Sequence, residues 1–159
     1  MIDVINKDVA LNFFHNKVAH AVFFGWFSAQ TIKVIIGVFE EKKFNFKWFV
    51  GTGGMPSSHA AGVTAMTTAV GLYEGVGTAL FAVTLMFTII VIFDAQGVRR
   101  STGQQAEILN KIMDDIYWKK KIQEDRLKEL VGHTPFQVLV GIFVGISVAF
   151  ILYWIQAKI

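Results

Sequence analysis

Two histidines stand at the mouths of two apolar segments, His59 in Gly53-Gly54-Met55-Pro56-Ser57-Ser58-His59 and His133 in Gly132-His133-Thr134-Pro135. Cleavage of a phosphate ester needs a nucleophile, a proton donor for the leaving alcohol, and cations for the equatorial oxygens. Histidine fills either of the first two roles near neutral pH. For the third, Lys33 lies three residues after Gln30 on one face of an apolar helix. Asp94-Ala95-Gln96-Gly97-Val98-Arg99-Arg100 closes another apolar segment with two guanidinium groups and one carboxylate.

The residues around the histidines suit an anion. Glycines 53 and 54 permit close backbone approach, and Pro56 fits the first turn of a helix. On that reading the amides near Ser57, Ser58 and His59 point outward toward a phosphate. At His133 the device recurs, with Thr134 as N-cap and Pro135 as first helical residue. Plainer readings stand beside these. Both histidines would serve as helix caps or interfacial residues, Lys33 as a snorkelling lysine, and Arg99 and Arg100 as ordinary cytoplasmic anchors. His15 and His20 fall toward the opposite side and are not catalytic candidates. Gly141-Ile142-Phe143-Val144-Gly145 is a small-xxx-small pattern, read as helix packing within the chain.

The elements that must position these groups are membrane helices. Of 159 residues, 53% are apolar and 17% charged, more apolar surface than one soluble core would hide. Apolar stretches near 18–39, 76–93 and 135–155 are long enough to cross a bilayer, and 57–73 is a shorter fourth. The expected fold is an all-α membrane bundle of four transmembrane helices with a polar cytoplasmic helix. Irregular backbone at Thr52 to Pro56 would be held at membrane depth by protein. No linker, repeat or low-complexity segment divides residues 1–159, so a single domain is expected. Asp3 and Asp8 precede the first apolar run, which is too long for a signal-peptide core, so it is expected to remain as a helix.

With four spans, the stretches 40–56 and 99–132 share one side, with 11 of the 15 Lys and Arg residues. The other side keeps Lys7, Lys17 and Lys158, which makes the loaded side cytoplasmic and both termini external. Net charge is +3, but the basic residues are interleaved with Glu107, Asp114, Asp115, Glu124, Asp125 and Glu129. That mixture suits a solvated helix over anionic membrane lipids and argues against nucleic acid as a partner. No cysteine is present, which removes disulfides, thiolate nucleophiles and zinc thiolate sites.

The segments Thr52 to His59, Asp94 to Arg100 with Gly103-Gln104-Gln105-Ala106-Glu107-Ile108-Leu109-Asn110, and Gly132 to Pro135 with Gly141 and Gly145 resemble the divergent PAP2 family. That family is related to acid phosphatases and vanadium haloperoxidases, and the resemblance runs from about Ala29 to the C-terminus. Through the wider PAP2 superfamily the resemblance implies a magnesium-independent phosphatase, without metal or other cofactor, that forms a phosphohistidine intermediate. Pro56-Ser57-Ser58-His59 then matches a Pro-Ser-Gly-His motif that supplies the acid, and His133 matches the nucleophile. Asp94 joins the catalytic set, while Lys33, Ser57, Ser58, Arg99 and Arg100 bind phosphate.

Three departures accompany the likeness. An aspartate that orients the nucleophile four residues on is Gln137 here, and an amide accepts a hydrogen bond but stabilises imidazolium less than a carboxylate. The arginine expected six residues before the nucleophile is Leu127, with Arg126 one place off, and the lysine-arginine-proline motif is not recognisable. Asp94, Arg99 and Arg100 are the charges available to replace those missing. A four-span chain also raises a homodimer that completes the bundle. The resulting expectation is a phosphatase of the plasma (inner) membrane, acting at the cytoplasmic leaflet on a lipid phosphate such as phosphatidylglycerophosphate. The alternatives are a polyprenyl (di)phosphate phosphatase and a noncatalytic protein that binds anionic lipid or a partner.

Overall fold

The computed structural model describes residues 14–44, 47–50, 54–117 and 133–158. Six helices follow in order: α1 (Lys17–Glu41), α2 (Lys47–Val50), α3 (Ser58–Tyr73), α4 (Ala79–Gln96), α5 (Val98–Tyr117) and α6 (Pro135–Gln156). Strands are absent among the described residues, and the all-α expectation holds.

Local chemistry sets the helix ends. Asn16 caps α1 by accepting from the Ala19 amide at 3.0 Å, and Thr78 caps α4 by accepting from Phe81 at 3.2 Å. Such caps satisfy donors that have no intrahelical partner. α1 stops at Lys42, which takes a left-handed φ of 53° and donates to the Val38 carbonyl at 2.9 Å. Thr134 and Pro135 are the N-cap and first residue of α6, as the sequence leads one to expect. Pro56 differs from expectation. It precedes the cap rather than opening the helix, because the Ser57 hydroxyl takes the capping position and accepts from the Ala60 amide at 3.4 Å.

α3 is the axis of the bundle and packs against α1, α4 and α6. Small residues permit this: Ala60, Ala61, Ala65 and Ala69 are fully buried. A Cβ placed on Gly145 would collide with the Ala61 carbonyl, and one on Gly141 with the Ser57 carbonyl. The two-glycine pattern therefore packs within the chain. On the α1 side, Gly25 lies against Ala61 and Ala65. The pairing of 25 with 61 and 65, and of 21 with 65 and 69, makes α1 antiparallel to α3. α6 runs parallel to it, from Gly141 beside Ser57 to a Tyr73 hydroxyl bond onto Gln156 Oε1 at 2.6 Å. α4 is tied on by hydroxyls. Thr67 meets Thr88 Oγ1 at 2.7 Å and the Thr84 carbonyl at 2.9 Å, and Thr88 donates to the Val63 carbonyl at 2.9 Å.

Large apolar side chains face outward instead. Phe87, Phe93, Phe143, Phe150 and Trp154 are all exposed, whereas the largest fully buried side chains are Val70, Val138, Pro56 and Ser57. A bundle with glycine, alanine and threonine inside and phenylalanine outside suits a lipid solvent, where close backbone approach and interhelical hydrogen bonds replace a hydrophobic core. Three helices, Lys17–Glu41, Ala79–Gln96 and Pro135–Gln156, are long and apolar enough to cross a membrane. The fourth expected span is the 16-residue α3, which rises about 24 Å against a hydrocarbon core of about 30 Å. α3 is thus a short central helix sheathed by three longer ones.

One residue, Gly97, joins α4 to α5. The polar helix expected in this region is present over its first 20 residues. It carries an exposed Glu107–Lys111 pair at 2.7 Å, which holds the Glu107 carboxyl below its usual range. The rest of the expected loop, 118–132, lies outside the described residues.

Candidate active site

The antiparallel and parallel relations put Lys33, the starts of α3 and α6, and the end of α4 at one end of the bundle. Backbone hydrogen bonds fasten this end. The Ser57 amide donates to the Gln137 carbonyl at 3.0 Å, so the first turns of α3 and α6 lie side by side. The His133 amide donates to the Ala95 carbonyl at 3.2 Å, which ties the α6 entrance to the last turn of α4. Two positive helix ends therefore converge, and their dipoles favour an anion at the junction.

His133 is buried there, at 3% exposure. Its Nδ1 lies 3.3 Å from Gln137 Oε1. That oxygen also accepts the Thr134 amide at 3.0 Å, and the Gln137 amide returns the bond to Thr134 Oγ1 at 3.3 Å. A backbone N–H can only donate, so the glutamine turns its oxygen toward Thr134 and His133 alike. For the His133 contact to be a hydrogen bond, Nδ1 must carry the proton, and in the neutral ring the lone pair then falls on Nε2. Gln137 thus stands in contact with the ring through the same oxygen that closes the capping box.

His59 is the second residue of α3 and is half-buried. Ser57 is completely buried and Ser58 is 5% exposed. Ser57 differs from the expectation that its amide points at an anion. Its N–H is committed to Gln137 and its hydroxyl to the Ala60 amide, so it holds the site together from behind. The amides of Ser58 and His59 follow the cap, in the turn where helix geometry supplies no intrahelical acceptor.

Lys33 is 9% exposed, inside the bundle rather than extended along its surface. Gly54, with φ of 76°, passes over its stem, and a Cβ there would sit 3.5 Å from Lys33 Cγ and Cδ. The glycine is needed for its left-handed backbone and lets the 54–57 segment lie on the lysine. One turn earlier, Gln30 is 3% exposed and its Nε2 donates to the Phe49 carbonyl at 2.6 Å, pinning α2 to α1. Asp94 lies half-buried in the last turn of α4, beside Ala95. Arg99 and Arg100 belong to the first turn of α5. Their side chains lie outside the described residues, as do Arg126 and Leu127.

The structure therefore brings His133, Ser57, Ser58, His59 and Lys33 to one end of the bundle, with the Asp94 turn attached. Sequence reasoning put Gln137 at the orienting position by resemblance but did not see that its side chain also closes the α6 capping box. The signal was present in Thr134-Pro135-Phe136-Gln137, a threonine followed at the third position by an acceptor that bonds back to the cap.

The chain has a relative among known membrane proteins. The "Uncharacterized membrane protein YuiD" of Bacillus subtilis (strain 168) is 41% identical over 135 residues, covering 78% of this chain and 85% of the relative. No solved structure matches the chain. Residues 14–148 match the divergent PAP2 family, beginning before Ala29 and ending short of the C-terminus to which the resemblance was read, and the chain belongs to that family.

Proposed function

We propose that this protein is a membrane lipid-phosphate phosphatase in which His133 is the nucleophile. The observation that carries the reading is the contact of the buried His133 Nδ1 with Gln137 Oε1. It directs the Nε2 lone pair away from the cap, at a junction of two helix N-termini that favours phosphate. In the reaction Nε2 attacks phosphorus, the ester P–O bond breaks, and the alcohol departs with a proton from His59 in its charged form. Water then attacks the phosphohistidine, with His59 now taking the proton, and inorganic phosphate leaves while Nε2 recovers its lone pair. Lys33 and the first-turn amides of α3 balance the charge on the equatorial oxygens, and Arg99, Arg100 and Asp94 complete the charge set.

The favoured substrate is a phosphomonoester lipid of the phosphatidylglycerophosphate kind on the cytoplasmic leaflet. Support comes from the Lys and Arg excess in the stretches that share the histidine end. Such a lipid is made on that face, whereas polyprenyl diphosphate recycling calls for a site facing outward.

The test is chemical trapping. Purified protein is mixed with lipid carrying a radiolabelled phosphomonoester and quenched in alkali, where phosphohistidine survives and phosphoserine does not. Label should remain on wild-type protein, be absent from His133→Ala, and be displaced by vanadate. Hydrolysis of the lipid by a well-folded His133→Ala would defeat the assignment.

A further inference from the structure

Between Ser58 and Thr67, every residue of α3 is buried except His59, Val63 and Met66. These three fall at i, i+4 and i+7, so they form one stripe along the helix. Its borders are set by two contacts. On one side Gly62 lies against α1, where an added Cβ would be 3.8 Å from Trp26 Cβ. On the other, Thr88 of α4 donates to the Val63 carbonyl. α1 and α4 make no extended contact with each other, while α6 covers the remaining side of α3. Among the described residues the central helix is thus partly exposed along one line, between α1 and α4, headed by a candidate catalytic histidine.

Resting on the phosphatase reading, we propose that this stripe is the seat of an acyl chain of the lipid phosphate. The lipid enters sideways from the leaflet, with its phosphomonoester at His59 and its chain over Val63 and Met66. The flanking helices α1 and α4 are membrane-spanning by length and composition, so the line between them faces hydrocarbon. Its polar end carries the buried Lys33 and the converging helix starts, complementary to an anionic headgroup. Threonine hydroxyls bond α4 to α3 here while larger apolar side chains such as Phe87 point outward. A phosphatase built this way favours lipids over water-soluble phosphates because the chain, as well as the headgroup, is bound.

The absence of cysteine permits a direct test in the full-length protein. Met66→Cys is labelled with a small fluorophore and placed in phosphatidylcholine vesicles containing a little doxyl-chain phosphatidic acid or, in parallel, doxyl-chain phosphatidylcholine. Phosphatidic acid should quench at an effective concentration about tenfold lower, the advantage of one good charge-assisted contact. Unlabelled phosphatidic acid should reverse it. Phe87→Cys on the outer face of α4 should respond equally to the two lipids, and Val63→Cys replaces Met66→Cys if that variant fails to fold. Equal quenching by both lipids at the stripe position overturns the proposal, whatever the enzyme hydrolyses. A headgroup preference there sustains it even if no phosphohistidine can be trapped, in which case only the phosphatase reading fails.

Discussion

The backbone amide of Ser57 donates to the carbonyl of Gln137 at 3.0 Å, joining residues 80 positions apart at the starts of two parallel helices. Ser57 is the cap of α3, and Gln137 is the residue that closes the capping box of α6 and faces His133. The same few atoms thus end two helices, align their dipoles and orient an imidazole. Gly141, one turn beyond Gln137, makes this possible by carrying no Cβ where the Ser57 carbonyl lies.

Gln137→Glu preserves the shape and the acceptor but adds a charge. When Nε2 bonds to phosphorus with Nδ1 protonated, the ring becomes cationic, and a carboxylate stabilises it better than an amide. Phosphoenzyme formation should therefore be faster in Gln137→Glu, while Gln137→Leu should lose about 10²-fold or more of the turnover. Thermal stability separates a positioning role from a structural one. Gln137→Leu should lose only about 1 kcal/mol of capping, and a well-folded Gln137→Leu with normal turnover would remove the orienting role.

Gly145→Ala should destabilise the bundle, because the added methyl meets the Ala61 carbonyl and the Ala65 amide, which are backbone and cannot step aside. Overpacking of this kind costs about 1–3 kcal/mol. Gly77→Ala is the control, since nothing lies within 4 Å of a Cβ there. Thermal unfolding in detergent should be lowered in the first variant and nearly unchanged in the second; equal midpoints would mean that α3 and α6 are less closely packed than described.

How much of this was legible before the fold was known differs by element. The spans at α1, α4 and α6 were readable from apolar length, and the α6 cap from Thr134-Pro135, because both signals are local. The helix starts two residues later than Pro56 suggested, because the Ser57 hydroxyl takes the cap while its amide finds an acceptor on another helix. The roles of Gly141 and Gly145 were read as internal packing, but their partner was not, since small residues occur on several helices and spacing alone does not pair them. The open stripe on α3 was invisible for the same reason. His59, Val63 and Met66 are distinguished only by which neighbours leave them uncovered.

Orientation is open to chemistry at two exposed lysines. The Lys and Arg excess in 40–56 and 99–132 puts Lys43 in the cytoplasm, and α1 and α6 place Lys158 at the opposite end of the bundle from the candidate site. Lys43→Cys should resist a membrane-impermeant thiol reagent in intact cells and react after lysis, whereas Lys158→Cys should react in intact cells. The reverse pattern would place the site outside and move the substrate choice toward polyprenyl phosphates.

The two histidines should fail in different ways. His133 is buried against Gln137, in the position of an oriented nucleophile, and its loss should stop turnover of every ester, lipid or aryl. His59 is half-buried at the head of the stripe, and on the proposed mechanism it protonates the leaving alcohol. General acid catalysis contributes about 10²–10⁴-fold, and much less when the leaving group is already stable as an anion. His59→Ala should therefore lose most of its activity on a lipid phosphate and proportionally less on a nitrophenyl phosphate. If His59→Ala loses the same factor on both substrates, His59 is not the acid. If instead His133→Ala retains aryl phosphatase activity while losing the lipid reaction, the assignments of the two residues must be exchanged, because dependence on the leaving group identifies the donor.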